Sequence, residues 1–336
     1  MKPLVLLTTS PFATSLIFPP QRRRELADSF EVVEVAERDP RFEELLPRAF
    51  AVVGQPDFPA GRVRAAEQLK AICNVEGNFF PNVDYEACFD RRIHVLGCGP
   101  VYAQPVAEYA LGLALDLARG ISKADRDFRA GIESYTHEGT AGALLLRHAD
   151  VGLIGMGNLG RALLPLLRPF SPRLRAYDPW LPARALADLD VEPVGLDELL
   201  SASTFVFVLA ASTTENTHLL DAEKLSLIRP GGRLVLVSRA AALDFDALYE
   251  RVARGHLFAA VDVWPDEPVA ADDPARDLDG MVLSAHRAGG IPQAFPLIGE
   301  MVIDDLRQIA AGLPPARMQV AAPELVARYR NKPVER

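Results

Sequence analysis

A glycine-rich segment near the middle of the chain constrains the fold more than any other part of the sequence. Apolar residues 151–154 predict a buried parallel strand, and Gly155, Gly157 and Gly160 follow it in the stretch VGLIGMGNLG. Glycines at this spacing make a turn that is tight enough for the backbone to approach a pyrophosphate, and the following helix points its free N–H groups at that anion. The segment therefore predicts a strand, a turn and a helix that bind a dinucleotide.

One acidic residue indicates which dinucleotide is bound. Asp178 ends the next apolar strand, in LRAYDPW, 18 residues after Gly160. A carboxylate at this place accepts hydrogen bonds from both hydroxyls of an adenosine ribose, and it repels a 2′-phosphate. We therefore expect NAD, rather than NADP, as the cofactor. A glycine turn in an unrelated α/β fold would explain the glycines but would leave Asp178 a coincidence.

The composition favours a globular protein of two domains. The chain has 336 residues, of which 49% are hydrophobic, and a formal net charge of −9. This length is natural for two domains that each bury their own core. The acidic balance and the lack of a basic stripe argue against nucleic acid as a partner.

Cysteines and apolar runs narrow the class of protein further. Cys73, Cys88 and Cys98 show no CxxC spacing and leave an odd thiol, so we expect neither a disulfide framework nor a bound metal. The N-terminal MKPLVLLTTSPF is too short an apolar run for a signal peptide and predicts the first strand of a domain. No apolar stretch approaches transmembrane length without a charge or a proline. These features predict a cytoplasmic protein with no membrane partner.

Strands and helices alternate twice along the chain. The first alternation runs from Leu4 to about Cys98 and has no glycine-rich phosphate loop. The second starts at Val151, and its six near-continuous apolar strands indicate a doubly wound parallel sheet. One amphipathic helix, around 296–311, follows the last of these strands. We therefore predict a Rossmann-type NAD-binding domain over 100–287, inserted in a second, flavodoxin-like α/β substrate domain built from 1–99 and 288–336.

Three side chains of complementary chemistry follow strands of the second alternation. Arg239 follows strand 234–238, Glu267 lies just past Trp264, and His286 ends the last strand. Ligands of such sheets bind at the carboxyl ends of the strands, so these side chains can converge on one crevice. A guanidinium binds a carboxylate bidentately, and an imidazole beside a carboxylate moves a proton near neutral pH. The three residues therefore predict acid–base chemistry on a substrate that carries a carboxylate.

In the order and spacing of several blocks, the chain resembles the D-isomer-specific 2-hydroxyacid dehydrogenases from about Ile72 to Gly290. The resemblance implies reversible hydride transfer between C4 of nicotinamide and C2 of a small 2-oxo or 2-hydroxy acid, bound in a cleft between two domains. It also implies a homodimer, which the apolar helix at 106–117 and the arm DRDFRAGIESYTHEG favour as well. The matching blocks are NVEGNFFPNVDYEACFDRRIHVLG, PVAEYALGLALDLARGI, VGLIGMGNLG, LRAYDPW, TTENTH, VLVSRAAALDFDAL, AAVDVWPDEP and SAHRAGG.

The resemblance implies a role for each site residue. Arg239 binds the substrate carboxylate, His286 is the general acid and base, and Glu267 supports His286. Asp262 contacts the nicotinamide carboxamide, although an aspartate that ends a strand could instead cap the following loop. Substrate binding involves the loop Glu76, Gly77 and Asn78 together with Arg239 and His286. The residues implied at the cofactor are Gly155, Gly157, Asn158, Leu159, Gly160, Asp178, Pro179, Thr217, Ser238, Arg239, Asp262, His286 and Gly289.

The chain departs from the family pattern around the substrate. Ala240 replaces the glycine that usually follows the arginine at position 239. Ala285 replaces the proline that usually precedes the histidine at position 286, and the cationic Arg287 follows that histidine. Glu76 stands where the family more often has a small or apolar residue. These departures leave the substrate open, while Glu267 disfavours formate because formate-oxidising relatives carry glutamine there. A second function also stays open, namely a protein of the same fold that binds NAD(H) as a sensor or corepressor.

Overall fold

Two largely parallel sheets, from different parts of the chain, carry the fold. The computed structural model describes residues 2–77 and 79–329. The chain divides into a first unit, Met1–Tyr102 with Gly290–Arg336, and a second unit, Ala103–Gly289. Strands and α-helices are numbered separately in chain order. The strands are β1 (Leu4–Thr8), β2 (Glu31–Glu34), β3 (Ala49–Gly54), β4 (Ala71–Asn74), β5 (His94–Gly97), β6 (Asp150–Ile154), β7 (Arg173–Tyr177), β8 (Glu192–Pro193), β9 (Phe205–Val208), β10 (Gly232–Leu236), β11 (Leu257–Val261), β12 (Met281–Leu283) and β13 (Gln319–Val320).

Helices connect most of these strands, as the short connections of the sequence predict. Within the described ranges, every helix is too short or too polar to span a bilayer. The α-helices are α1 (Thr14–Ile17), α2 (Pro20–Ser29), α3 (Pro40–Leu45), α4 (Ala60–Ala65), α5 (Tyr85–Asp90), α6 (Gly99–Arg119), α7 (Ile121–Ala130), α8 (Thr136–Gly139), α9 (Asn158–Leu167), α10 (Ala183–Ala187), α11 (Leu196–Ala202), α12 (Ala222–Leu227), α13 (Phe245–Ala253), α14 (Phe295–Ala310) and α15 (Pro323–Val326). Short 3₁₀ helices lie at Leu46–Arg48, Arg168–Phe170, Ala240–Ala242 and Pro274–Asp277.

The first unit is a six-stranded sheet in the order β13-β5-β4-β3-β1-β2. Its five longer strands are parallel and follow the flavodoxin-like order, while β13 pairs antiparallel with β5. Successive residues of β1 enter different cores: Val5 and Leu7 pack with α14, whereas Leu4 and Leu6 pack with Phe42 of α3. Both faces of the sheet are therefore covered, which explains why the strand is apolar throughout.

The second unit is a seven-stranded parallel sheet in the order β12-β11-β10-β9-β6-β7-β8. The chain moves outward from β6 to β8, returns, and continues on the other side from β9 to β12, which is the doubly wound Rossmann topology. The predicted fold class is confirmed. The strand β8 was missed from the sequence, because its two exposed residues include a proline and carry no apolar pattern.

The apolar helix at 106–117 forms most of α6, and it is buried within the second unit itself. Val106, Leu113 and Leu117 pack in one core with Leu163 and Leu167 of α9. The unit's own core therefore accounts for the apolar character of this helix, so the helix by itself gives no indication of a homodimer.

The arm DRDFRAGIESYTHEG is different, because its apolar side chains face solvent. Most of the arm is helical, in α7 and α8, with Gly131 in the left-handed region between the two helices. Phe128, Ile132 and Tyr135 are 63%, 70% and 66% exposed. The arm therefore presents an apolar surface that the second unit leaves uncovered.

Candidate active site

The glycine-rich turn joins β6 to α9 where the strand order of the second sheet reverses. Gly155 has a φ of +93°, and a Cβ there would lie 2.8 Å from backbone atoms of Ala210. A Cβ on Gly160 would lie 2.6 Å from the carbonyl oxygen of Gly155, so α9 packs directly on the turn. A Cβ on Gly157, by contrast, would have nothing within 4 Å. The turn thus requires glycine at positions 155 and 160. The lack of a side chain at Gly157 leaves the N-terminus of α9 accessible to a ligand.

Asp178 follows β7 and is oriented by the glycine-rich turn. Its Oδ2 accepts a hydrogen bond from the N–H of Met156 at 2.8 Å, and its Oδ1 accepts one from the N–H of Trp180 at 3.0 Å. The side chain is half-buried. Each carboxylate oxygen can accept more than one hydrogen bond, so both oxygens keep the capacity to accept a ribose hydroxyl.

These residues fit a dinucleotide at the carboxyl edge of the second sheet. The N–H groups at the start of α9 can donate to a pyrophosphate, and Asp178 can accept from a ribose. The hydroxyl of Ser238, after β10, is buried and has no hydrogen-bond partner among the described residues, as expected of a group that a ligand satisfies. Of the other predicted cofactor residues, Asn158 and Leu159 begin α9, Pro179 and Thr217 are exposed in loops, and Gly289 is half-buried after β12.

His286 and Glu267 are in direct contact. The Nδ1 of His286 lies 2.7 Å from Oε2 of Glu267, and Oε1 of the same carboxylate accepts the N–H of Trp264 at 3.0 Å. Because an ionised carboxylate only accepts hydrogen bonds, Nδ1 carries the proton of this pair and Nε2 is left to exchange a proton with a substrate. The two side chains are 32% and 25% exposed, so a substrate can reach them.

The backbone of His286 is held in an unfavourable conformation by Asp262. His286 has a φ of +49°, in the left-handed region, which costs a residue other than glycine about 1–3 kcal/mol. Its N–H donates to the carbonyl oxygen of Asp262 at 2.7 Å. The N–H groups of Arg287 and Ala288 donate to Oδ1 and Oδ2 of Asp262 at 2.9 and 3.1 Å. Asp262 thus supports the loop that presents the imidazole.

Asp262 itself is 1% exposed. Its Oδ1 also accepts a hydrogen bond from the hydroxyl of Ser284 at 2.5 Å. The structure therefore shows Asp262 in the alternative role that the sequence left open, as the cap of the loop that follows its strand. Its contact with the nicotinamide carboxamide stays a prediction.

Arg239 lies at the same edge of the sheet. It follows β10, and the next two strands towards the sheet edge, β11 and then β12, lead to Glu267 and His286. The guanidinium is half-buried, and its Nη1 donates to the carbonyl oxygen of Ser238 at 2.7 Å. Three adjacent parallel strands therefore place a cation, a carboxylate and an imidazole at one edge, where ligands bind in such sheets.

The predicted substrate loop belongs to the first unit. Glu76 is buried after β4, and its N–H donates to Oε1 of Gln55 at 3.3 Å. A Cβ on Gly77 would lie 3.5 Å from the ring of Tyr102. Asn78 lies outside the described residues. The part of this loop in substrate binding stays a prediction.

Several residues that surround the histidine loop could not be identified from the sequence. The indole Nε1 of Trp264 donates to the carbonyl oxygen of Ser284 at 2.7 Å, and Oη of Tyr109 lies 2.7 Å from Oγ of Ser284. Tyr109 and Ser284 are 175 positions apart, so no local motif connects them. The only available signal was a hydroxyl two residues before His286. In the described part of the chain, no three His, Cys, Asp or Glu side chains form a group that could hold a metal ion.

Comparison with known proteins identifies the relatives of the chain. The family model for the D-isomer specific 2-hydroxyacid dehydrogenase, NAD binding domain, matches residues 111–288. A D-3-phosphoglycerate dehydrogenase of Mycobacterium leprae is 32% identical over 251 residues, which cover 74% of this chain and 46% of that protein. A hydroxypyruvate reductase of Thermotoga maritima is 29% identical over 298 residues, which cover 88% of this chain and 93% of that protein.

The same similarity holds in three dimensions. The crystal structure of a phosphoglycerate oxidoreductase from Rhizobium etli has a TM-score of 0.87 and 42% identity, covering 96% of this chain and 99% of that chain. The chain spans roughly half the length of the D-3-phosphoglycerate dehydrogenases that it matches.

Proposed function

This chain belongs to the D-isomer-specific 2-hydroxyacid dehydrogenase family, and we propose that it is an NAD-dependent oxidoreductase that interconverts a small 2-oxo acid and its D-2-hydroxy acid. The contact of 2.7 Å between His286 and Glu267 carries the proposal. That contact lies at the same sheet edge as Arg239 and the glycine-rich turn. A site that only binds NAD(H) has no need of an imidazole whose proton is directed by a carboxylate.

Arg239 binds the substrate in this proposal. Its planar guanidinium can hold the carboxylate of a 2-oxo acid bidentately. In that position the same positive charge would also stabilise the negative charge that develops on the ketone oxygen during reduction. Arg239 therefore acts on the bound substrate and on the transition state alike.

His286 moves the proton. Bound NADH would supply a hydride to C2, and Nε2 of His286 donates the proton that completes the alcohol. Glu267 keeps the imidazole in the orientation that points Nε2 away from the carboxylate, and it balances the positive charge of the protonated ring. In the oxidation of a hydroxy acid, neutral His286 accepts the proton from the hydroxyl group at C2. General acid–base catalysis of this kind contributes about 10²–10⁴-fold to a rate.

The relatives suggest which acids to test. Proteins similar to this chain carry the names D-3-phosphoglycerate dehydrogenase, hydroxypyruvate reductase and glyoxylate reductase. All three names point to acids of two or three carbons with a carboxylate next to the reacting carbon. We propose a substrate of that class, with Arg239 and His286 binding it from the second unit.

We also propose a homodimer that forms through the arm. Phe128, Ile132 and Tyr135 are large apolar side chains of one segment that all face solvent, and exposed apolar side chains grouped in this way are typical of a contact surface. A cytoplasmic location stays a prediction from the cysteine content.

The proposal is tested by measuring NADH consumption with a panel of 2-oxo acids. Glyoxylate, hydroxypyruvate and 3-phosphohydroxypyruvate are the first members, and NADH binding is measured separately by fluorescence. We expect NADH consumption with at least one acid and its loss in His286→Ala. Binding of NADH without consumption in the whole panel would instead support a sensor of NAD(H).

A further inference from the structure

The hydroxyl of Tyr109 contacts the loop that carries the proposed catalytic histidine. Tyr109 lies on α6, and its Oη is 2.7 Å from Oγ of Ser284, two residues before His286. Helix α6 is a firm support for this contact, because its neighbouring residues Ala107 and Ala110 are buried in the core of the second unit. Neither residue of the contact belongs to the predicted site.

The hydrogen bonds of this contact have a defined direction. Oγ of Ser284 lies 2.5 Å from Oδ1 of Asp262, and an ionised carboxylate can only accept a hydrogen bond. The hydroxyl hydrogen of Ser284 is therefore donated to Asp262. Because Ser284 has no second hydrogen to give, Tyr109 must donate to Ser284. The result is a directed chain from Tyr109 through Ser284 to Asp262, in which each bond polarises the next.

This chain ends on the residue that supports the backbone of His286. Asp262 accepts the N–H groups of His286, Arg287 and Ala288, through its carbonyl oxygen and its carboxylate. A left-handed residue such as His286 stays in place only when its surroundings determine its conformation. The position of the imidazole therefore depends on the orientation of the Asp262 carboxylate, which Ser284 and Tyr109 help to set.

Ser284 is connected to Glu267 as well. Its carbonyl oxygen accepts the indole N–H of Trp264, and the backbone N–H of Trp264 donates to Oε1 of Glu267. Displacement of Ser284 would thus disturb both members of the His286–Glu267 pair.

We infer that Tyr109 is a positioning residue, which holds the His286 loop through Ser284 and Asp262. The inference rests on the proposed function only where catalysis is measured, since the effect on the loop itself does not require an activity. A purely space-filling role of Tyr109 would need the ring alone, whereas the inferred role needs the hydroxyl.

Tyr109→Phe separates these roles, because it keeps the ring and removes the hydroxyl. Tyr249→Phe is the matched control, since Oη of Tyr249 donates to Oδ1 of Asp273 at 3.1 Å in the same unit, and neither residue of this hydrogen bond belongs to the predicted site. Hydrogen exchange of the peptide that contains residues 284–289 is measured by mass spectrometry without cofactor. We expect Tyr109→Phe to speed this exchange by about 2- to 12-fold, the value of one neutral hydrogen bond, and Tyr249→Phe to leave it unchanged. Equal exchange in Tyr109→Phe and the parent would overturn the inference.

Kinetics give an independent check. In Tyr109→Phe we expect kcat for reduction to fall by a factor of about 2 to 12 with KM little changed, because binding of the substrate carboxylate does not involve Tyr109. Ser284→Ala should lower kcat too, whereas Ser284→Thr keeps the hydroxyl and should retain activity. The double variant Tyr109→Phe, Ser284→Ala should be no slower than the slower of the two single variants. Fully additive effects would show that Tyr109 does not act through Ser284. If the parent reduces no acid in the panel, the proposed function fails, while the exchange measurement still decides the role of Tyr109.

Discussion

The Nδ1 of His286 and the Oε2 of Glu267 are 2.7 Å apart, and the other oxygen of Glu267 accepts the N–H of Trp264. The backbone thus orients the carboxylate, and the carboxylate orients the ring. Since the proton between them belongs to Nδ1, the free nitrogen of the imidazole is Nε2. The predictions about catalysis follow from this arrangement.

Glu267→Gln should lower kcat for 2-oxo acid reduction. Both oxygens of Glu267 accept hydrogen bonds, one beside Nδ1 of His286 and one from the N–H of Trp264. Glutamine has one acceptor oxygen, so one of these hydrogen bonds is lost and the imidazole is held less firmly. We expect kcat to fall by about 10- to 100-fold, the value of one hydrogen bond to a charged group, and circular dichroism checks folding. An unchanged kcat in the variant would show that Glu267 does not act on His286.

Substitution of His286 and of Arg239 should affect different kinetic constants. His286→Ala should lower kcat by about 10²–10⁴-fold with a small change in KM, because only the transition state uses its proton. Arg239→Ala should raise KM and lower kcat together, because the guanidinium binds the substrate carboxylate and also stabilises the developing charge. Arg239→Lys is the control, and it should recover only part of the affinity because lysine cannot bind a carboxylate bidentately. Near-full turnover in His286→Ala would place the general acid elsewhere.

Asp178 should make the enzyme prefer NADH to NADPH. A 2′-phosphate beside this carboxylate would meet repulsion and would lose a hydrogen-bond partner, at a cost of ~2–4 kcal/mol. We expect Asp178→Ser to reduce the preference for NADH over NADPH. It should not lower kcat at saturating NADH, because in the proposed chemistry Asp178 binds the ribose and takes no part in proton transfer. The measurement is kcat/KM for both cofactors. Equal efficiency with NADPH in the parent would rule out this role.

The arm should hold two copies of the chain together. In sedimentation at micromolar concentration we expect the parent to be a dimer and the double variant Phe128→Asp, Ile132→Asp to be a monomer, because a buried charge opposes the contact. Leu313→Asp is the control, because it changes an apolar residue of the first unit that is 53% exposed, and it should leave the dimer intact. A monomeric parent would remove the proposal of a dimer.

Asp150 should make stability depend on pH in the acid range. Its carboxylate is 15% exposed and binds Nε and Nη2 of Arg173 at 2.7 and 2.5 Å, with Nη1 of Arg175 at 2.9 Å. The hydrogen bonds from Arg173, and then those from Arg175, hold the pKa of Asp150 well below its ordinary value. A carboxyl whose pKa is lowered by folding stabilises the fold above its unfolded pKa of about 3.9, and that contribution is lost as the pH falls through the folded value.

We therefore expect Asp150→Asn to lower the free energy of unfolding near neutral pH by about 1–2 kcal/mol, a range reduced because Arg173 is largely exposed. The difference from the parent should shrink as the pH falls below about 4. Asp197→Asn is the control, because the Asp197 carboxylate that pairs with Lys224 is 63% exposed, and the substitution should change stability little. Urea unfolding at several pH values provides the measurement, and a difference that does not vary with pH would contradict the assignment.

Much of the fold could be predicted because its signals are local. The glycines at 155, 157 and 160 lie between an apolar strand and a helix, a pattern that is visible in the sequence. The Rossmann topology places other backbone close to this turn, such as that of Ala210 beside Gly155, and leaves no room for a side chain there. Alternating apolar strands predicted both sheets, since strands covered on both faces must be apolar throughout. The edge strands β8 and β13 carry only two residues each, and strands so short show no pattern.

The positions of the reacting groups were predicted only through resemblance to a family, and their contacts could not be predicted at all. The sequence by itself determined that Asp262 ends a strand and that α6 is apolar. Only the tertiary structure decided that Asp262 caps the His286 loop, that the core of the second unit covers α6, and that Tyr109 reaches Ser284 across 175 positions. The physical reason is that the apolar pattern that predicts a strand or a helix lies in neighbouring residues of the chain. A side-chain hydrogen bond between distant residues instead requires two atoms about 3 Å apart, and tertiary packing sets that distance.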